Sequence, residues 1–193
     1  MKSVPMTEEQ LIAACRHNKP WAQKMLYEQY APSMFSLCMR YAGNKETAKD
    51  LLQEGFIRIF TKLHTYTGSG PLGGWIRRIF VTTSLEYLRN NEALKWQVSF
   101  DDYGQEIESN DTEVLKKLSA DDLLECIAEL PNGFRAVFNL YAIEGYSHAE
   151  IGEMLQIKES TSRSQYTRAR QLLKEQVEIL LSKEKFPTEN KKG

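Results

Sequence analysis

Apolar residues fall at helical spacing along almost the whole chain, and that periodicity limits what it can fold into. KETAKDLLQEGFIRIFTKL, residues 45–63, shows it most clearly. Ala48, Leu51, Leu52, Phe56, Ile59, Phe60 and Leu63 lie on one side of a helical wheel. Lys49, Asp50, Gln53, Glu54, Arg58 and Lys62 lie on the other. Helices striped this way must bury one side against each other, so an all-α fold is predicted. Gly55, inside the apolar run, costs about 1 kcal/mol relative to alanine and marks a close helix contact.

Two stretches break the pattern. TYTGSGPLGG, residues 65–74, holds four glycines and a proline and reads as a loop, with helix resuming at Trp75. VSFDDYGQEIESNDTE, residues 98–113, holds six acidic residues and no basic one, and reads as a linker. The expected organisation is two small helical domains joined by a flexible linker: 1–97, an acidic linker 98–118, 119–183 and a tail 184–193.

Polar residues placed to cap helices mark the starts within these domains. Thr7 with Gln10, Ser119 with Asp122 and Ser147 with Glu150 read as caps, and Asn44 can cap the helix after Gly43. Pro32 is expected to separate a helix starting near Pro20 from one over Met34–Tyr41. Another helix is expected over Gly133–Ile143, stopped by Gly145. HAEIGEML, a turn at Gln156, Ile157 and Lys158, and a long helix from Ser160 to about Leu181 complete a helix-turn-helix.

The long helix carries unusual charge. The chain's net charge is −1 and its pI near 6.3, so nucleic-acid binding must rest on local charge. From Lys158 to Lys174 five basic residues face only Glu159. On the wheel, Ser162, Tyr166, Ala169, Leu173, Val177 and Leu180 share one side. Ser160, Ser164, Thr167, Arg168 and Gln171 take the opposite side, with Arg163, Arg170 and Lys174 towards its edges. Thr161 adds a hydroxyl at the start. Such a helix fits the major groove of DNA, where arginine reaches guanine and Ser, Thr and Gln make shorter contacts. In the first domain, residues 62–97 hold five Lys or Arg against two acids. The glycine loop followed by this basic helix suits melted DNA, with Tyr66 as a stacker and Gly68, Ser69 and Gly70 allowing close backbone approach. Arg77, Arg78 and Arg89 can reach phosphates.

His17, His64 and His148 show no metal-ligand spacing, and no Walker, G-x-S-x-G or paired-carboxylate pattern is present. Neither catalysis nor a cofactor is expected. Three scattered cysteines, no signal-peptide core and no membrane-length apolar run point to the cytoplasm, without membrane insertion. From the residues alone, a helix-turn-helix transcriptional activator with a helical N-terminal domain remains an alternative.

Residues 129–173, ELPNGFRAVFNLYAIEGYSHAEIGEMLQIKESTSRSQYTRARQLL, resemble region 4 of the extracytoplasmic-function (ECF) subfamily of bacterial sigma-70 factors. YAGNKETAKDLLQEGFIRIF and GGWIRRIFVTTSLEYLRN, residues 41–60 and 73–90, resemble region 2. The resemblance implies a sigma factor that binds core RNA polymerase and directs it to promoters. Region 2 would dock on the polymerase through Asp50, Gln53, Glu54 and Arg58. It would open the −10 element using the loop and basic-helix residues above together with Thr82 and Glu86. Region 4 would read the −35 element. Family members are commonly held inactive by an anti-sigma factor. The chain departs from the family pattern at Thr82 and Glu86, where Asn and Asp are frequent, at Ser160, where glycine is usual, and at Ser162, where an apolar residue is common. These departures bear on which promoter is read, not on the fold.

Overall fold

The structure is a computed structural model and describes residues 6–91 and 119–185. The expected linker, 98–118, and residues 186–193 of the expected tail lie outside the described residues. Among the described residues every regular element is helical. The chain divides after Asn91 into two compact units.

In the first unit, α1 (Glu8–Arg16), α2 (Pro20–Ala42), α3 (Lys45–Lys62) and α4 (Leu72–Asn91) are joined by short turns, with a 3-10 turn at Leu63–Thr65. The capping box of Thr7 and Gln10 opens α1. Gly43, at φ +78°, ends α2, and the Asn44 side chain then accepts the Thr47 N–H at 2.8 Å to start α3. Helices α2, α3 and α4 pack on one another, and α1 lies against α2 and the 3-10 turn. Leu26, Leu37, Tyr41, Ile59, Ile76, Phe80 and Leu88 fill the centre.

Pro32 does not split α2, contrary to expectation. An internal proline removes one N–H and crowds the preceding turn, at about 3 kcal/mol. Burial on both sides outweighs that cost. Ala22 and Leu26 before it, and Met34, Leu37, Cys38 and Tyr41 after it, enter the same core. Ser36 Oγ also donates to Pro32 O at 3.2 Å. Helix α4 starts three residues earlier than expected. Pro71 O accepts the N–H groups of Gly74 and Trp75, and buried Leu72 anchors the first turn despite the two glycines after it.

The second unit contains α5 (Ala120–Glu129), α6 (Asn132–Phe138), a π-turn (Asn139–Ile143), α7 (His148–Leu155) and α8 (Glu159–Lys185). Helix α8 packs against α5, α6 and α7. Ile127, Val137, Leu140, Ile151, Ala169, Leu173 and Val177 are buried. The helix expected over Gly133–Ile143 widens into the π-turn after Phe138. Buried Asn139 begins the widened turn, and its carbonyl accepts the Glu144 N–H at 2.9 Å. Gly145, at φ +78°, then reverses the chain. The capping box of Ser147 and Glu150 opens α7, and that bonding holds the exposed Glu150 carboxyl below its ordinary range.

The turn between α7 and α8 is sterically tight. Gln156 takes the left-handed conformation, at φ +58°. A Cβ added at Gly152 would lie 2.9 Å from Ile157 O, so the turn closes only over a glycine. Cys15, Cys38 and Cys126 are free and buried, and burial pushes the Cys38 thiol up to about 12.

Candidate nucleic-acid interface

Helix α8 presents Ser160, Arg163, Thr167 and Gln171 as an exposed stripe at three- and four-residue intervals. Ser164, Arg170 and Lys174 are half-buried alongside it, while Thr161 and Arg168 line one edge. Thr167 Oγ1 donates to Arg163 O at 3.1 Å and Ser164 Oγ to Thr161 O at 3.0 Å. Each hydroxyl proton is thus engaged by the helix itself. Arg163 Nη2 meets Glu159 Oε1 at 2.5 Å, Gln171 Nε2 donates to Glu175 at 3.3 Å, and Arg170 lies 5.9 Å above the Tyr166 ring. The arginine most exposed on the stripe therefore carries an acid that a DNA base would have to displace.

The inner side of α8 includes a polar pair that the wheel did not disclose. Ser162 is fully buried, and its Oγ lies 2.9 Å from His148 Nδ1. Burial lowers the His148 pKa below its ordinary 6.5, Arg163 lowers it further and Glu159 opposes them. The imidazole is thus neutral at neutral pH.

On α4, Arg78, Thr82, Glu86 and Arg89 share one stripe, whereas Arg77, half-buried, turns away from it. Arg78, Thr82, Trp75 and Lys62 line a shallow cleft of about 200 Å³ between α3 and α4. Gly68, Ser69 and Gly70 form an exposed loop beside α4, with Gly68 at φ +77°.

Tyr66 is not an open stacking platform, contrary to expectation. It is 8% exposed, its hydroxyl donates to Gly70 O at 2.6 Å, and its ring lies against Trp75 with centroids 5.5 Å apart. Arg16 reaches over from α1 to the carbonyls of Leu63 and Tyr66, tying down the start of the loop. Tyr66 thus holds the loop's shape, and the half-buried Trp75 is the aromatic group that lines the cleft.

Glu86 and Arg58 also belong together rather than to separate sites. Arg58 pairs with Glu86 across the helices and with Glu54 at 2.7 Å along α3. Hydrogen bonding to Glu86, then to Glu54, raises the guanidinium pKa. This carboxylate holds the Arg58 guanidinium in place across the two helices and, as an anion, repels phosphate rather than binding it. Asp50, Gln53 and Glu54 are exposed on α3. Sequence reasoning missed Ile57, which is 60% exposed in the middle of this polar face. An apolar residue on the polar side of the wheel was the available signal.

Two family models match the chain in order: sigma-70 region 2 over residues 26–93 and sigma-70 region 4 over residues 120–173. The chain belongs to the ECF subfamily of the sigma-70 family. It is 35% identical over 154 residues to the ECF RNA polymerase sigma factor SigE of Mycolicibacterium smegmatis, covering 78% of this chain and 59% of that protein's length. It is 24% identical over 186 residues to the ECF RNA polymerase sigma-E factor of Haemophilus influenzae, covering 91% of this chain and 98% of that one. Its fold resembles the sigma factor RpoE solved with the anti-sigma factor NepR from Bartonella quintana. That likeness has a TM-score of 0.51 and 17% identity, over 81% of this sigma factor and 96% of the solved chain.

Proposed function

We infer that this ECF sigma factor is the promoter-recognition subunit of a bacterial RNA polymerase. It binds core polymerase through its region 2, engages the melted −10 strand and reads the −35 element with α8. The observation that carries this reading is the exposed stripe of Ser160, Arg163, Thr167 and Gln171 on α8, in a chain where region 2 precedes region 4. A groove-reading helix needs outward polar side chains on a rigid support, and the buried side of α8 supplies that support. Arg78, Lys62 and Trp75 suit the phosphates and an unstacked base of the −10 strand. The chain works as a non-catalytic initiation factor in the cytoplasm, and no described helix is long and apolar enough to cross a membrane. We extend the proposal to an anti-sigma factor as a further partner, of the kind with which the similar sigma factor RpoE was solved. The activator alternative is not favoured, because it leaves region 2 without a role.

Core polymerase docks on the outer face of α3. An exposed isoleucine ringed by Asp50, Gln53 and Glu54 has the composition of an interface centre with a polar rim. Ile57→Asp is expected to weaken binding to core polymerase at least about tenfold, or about 1.4 kcal/mol. Thermal unfolding should be unchanged because the side chain is already exposed. Wild-type affinity in that variant would place the docking surface elsewhere on region 2.

A further inference from the structure

We propose that His148 and Ser162 form a positioning pair that sets the orientation of the recognition helix, so that neither touches DNA but both govern −35 specificity. The inference rests on the promoter reading above.

His148 is the first residue of α7, and Ser162 lies on α8 immediately before Arg163. His148 is 7% exposed and Ser162 0%, so their 2.9 Å contact is sealed from water. The two helices also pack on one another, and the apolar Ile151 and Leu155 of α7 are buried. Apolar packing tolerates small slides and rotations, whereas a buried hydrogen bond does not. Displacing α8 would leave two buried polar atoms without a partner.

The π-turn completes the arrangement. It places the Tyr141 ring parallel to the imidazole, with centroids 4.1 Å apart and planes 10° apart. Tyr141 also packs on Tyr166 of α8, at 4.5 Å. The imidazole is therefore bonded along one edge and covered on one ring face. Tyr141 from the π-turn and Tyr166 from α8 pack on the imidazole ring, and the charges of Arg163 and Glu159 from α8 act on it.

This pairing accounts for one departure from the family pattern. Ser162 replaces the usual apolar residue and has a polar partner beneath it. Because Arg163 is adjacent in the chain, a change in Ser162 seating redirects it, and bidentate base contacts tolerate little misplacement.

The test uses the full chain assembled with core polymerase and a promoter library with a randomised −35 segment. Transcribed templates are sequenced. The wild type should enrich a defined −35 sequence. Ser162→Ala and His148→Ala should each reduce that enrichment about fivefold or more. His148→Asn, whose amide reaches the position of Nδ1, should stay within about twofold of wild type. Ser162→Ala keeps a good helix former inside α8, so its result does not depend on whether the histidine variants fold. Equal losses for Asn and Ala at 148, or undiminished enrichment in Ser162→Ala, would overturn the proposal. A wild type that enriches no −35 sequence would overturn the promoter reading, and the pair's role with it.

Discussion

Gly55→Ala should destabilise the first unit by about 1–3 kcal/mol, although a helix interior ordinarily gains about 1 kcal/mol from that change. A Cβ built on Gly55 would stand 2.1 Å from Cε1 of Phe80. The ring cannot easily move aside, because it is fully buried and meets Phe56 edge-on with centroids 5.4 Å apart. Phe80→Ala should cost more, about 3–5 kcal/mol, through lost burial and the cavity left behind. The two effects should not add. Once the ring is gone, the methyl of Gly55→Ala occupies part of its space, so the double variant should be more stable than the sum of the single losses implies. Chemical denaturation of the wild type, both single variants and the double variant measures this. Simple additivity, or a stabilised Gly55→Ala, would mean that α3 and α4 do not approach as described.

Arg163→Ala should change the −35 sequence preferred by the polymerase holoenzyme. Loss of a direct arginine–base contact is worth about 1–3 kcal/mol at the base pair concerned, and little elsewhere. Arg163 is the exposed arginine nearest the start of α8, the part of a recognition helix that enters the groove. It begins paired to Glu159, so the net gain on binding is reduced by breaking that bond. Competition between −35 variants reports the outcome. A uniform loss across all sequences, with a smaller salt slope, would assign Arg163 to phosphate instead.

Much of the fold was legible because caps and stops are local. Thr7, Asn44, Ser119 and Ser147 each bond within three residues of themselves, and Gly43 and Gly145 reverse the chain where their missing Cβ permits. The failures were tertiary overrides. Pro32 is a local helix breaker, yet it lies in a helix whose two halves enter one core. Leu72 begins α4 before the glycines because it is anchored in the interior. The same division holds for the candidate site. Helical periodicity placed Ser160, Thr167 and Gln171 on the outer face of α8 but set Arg163 towards its edge, whereas Arg163 is exposed on the stripe and Arg168 is half-buried. It could not pair residues distant in sequence, so Tyr66 with Gly70 and Trp75, Arg58 with Glu86, and His148 with Ser162 emerge only once the helices pack. Ile57 was visible on the wheel, but an isolated exposed apolar residue is ordinary until its polar surround is known.

This chain is expected to convert core polymerase into a promoter-specific enzyme. The direct measurement is run-off transcription by core RNA polymerase with and without the full chain, on a template library containing randomised −35 and −10 segments. Transcripts are expected only when the chain is present, starting at a fixed distance from enriched −35 and −10 sequences. Duplex-DNA binding without association with core polymerase, and no chain-dependent transcripts, would contradict that expectation.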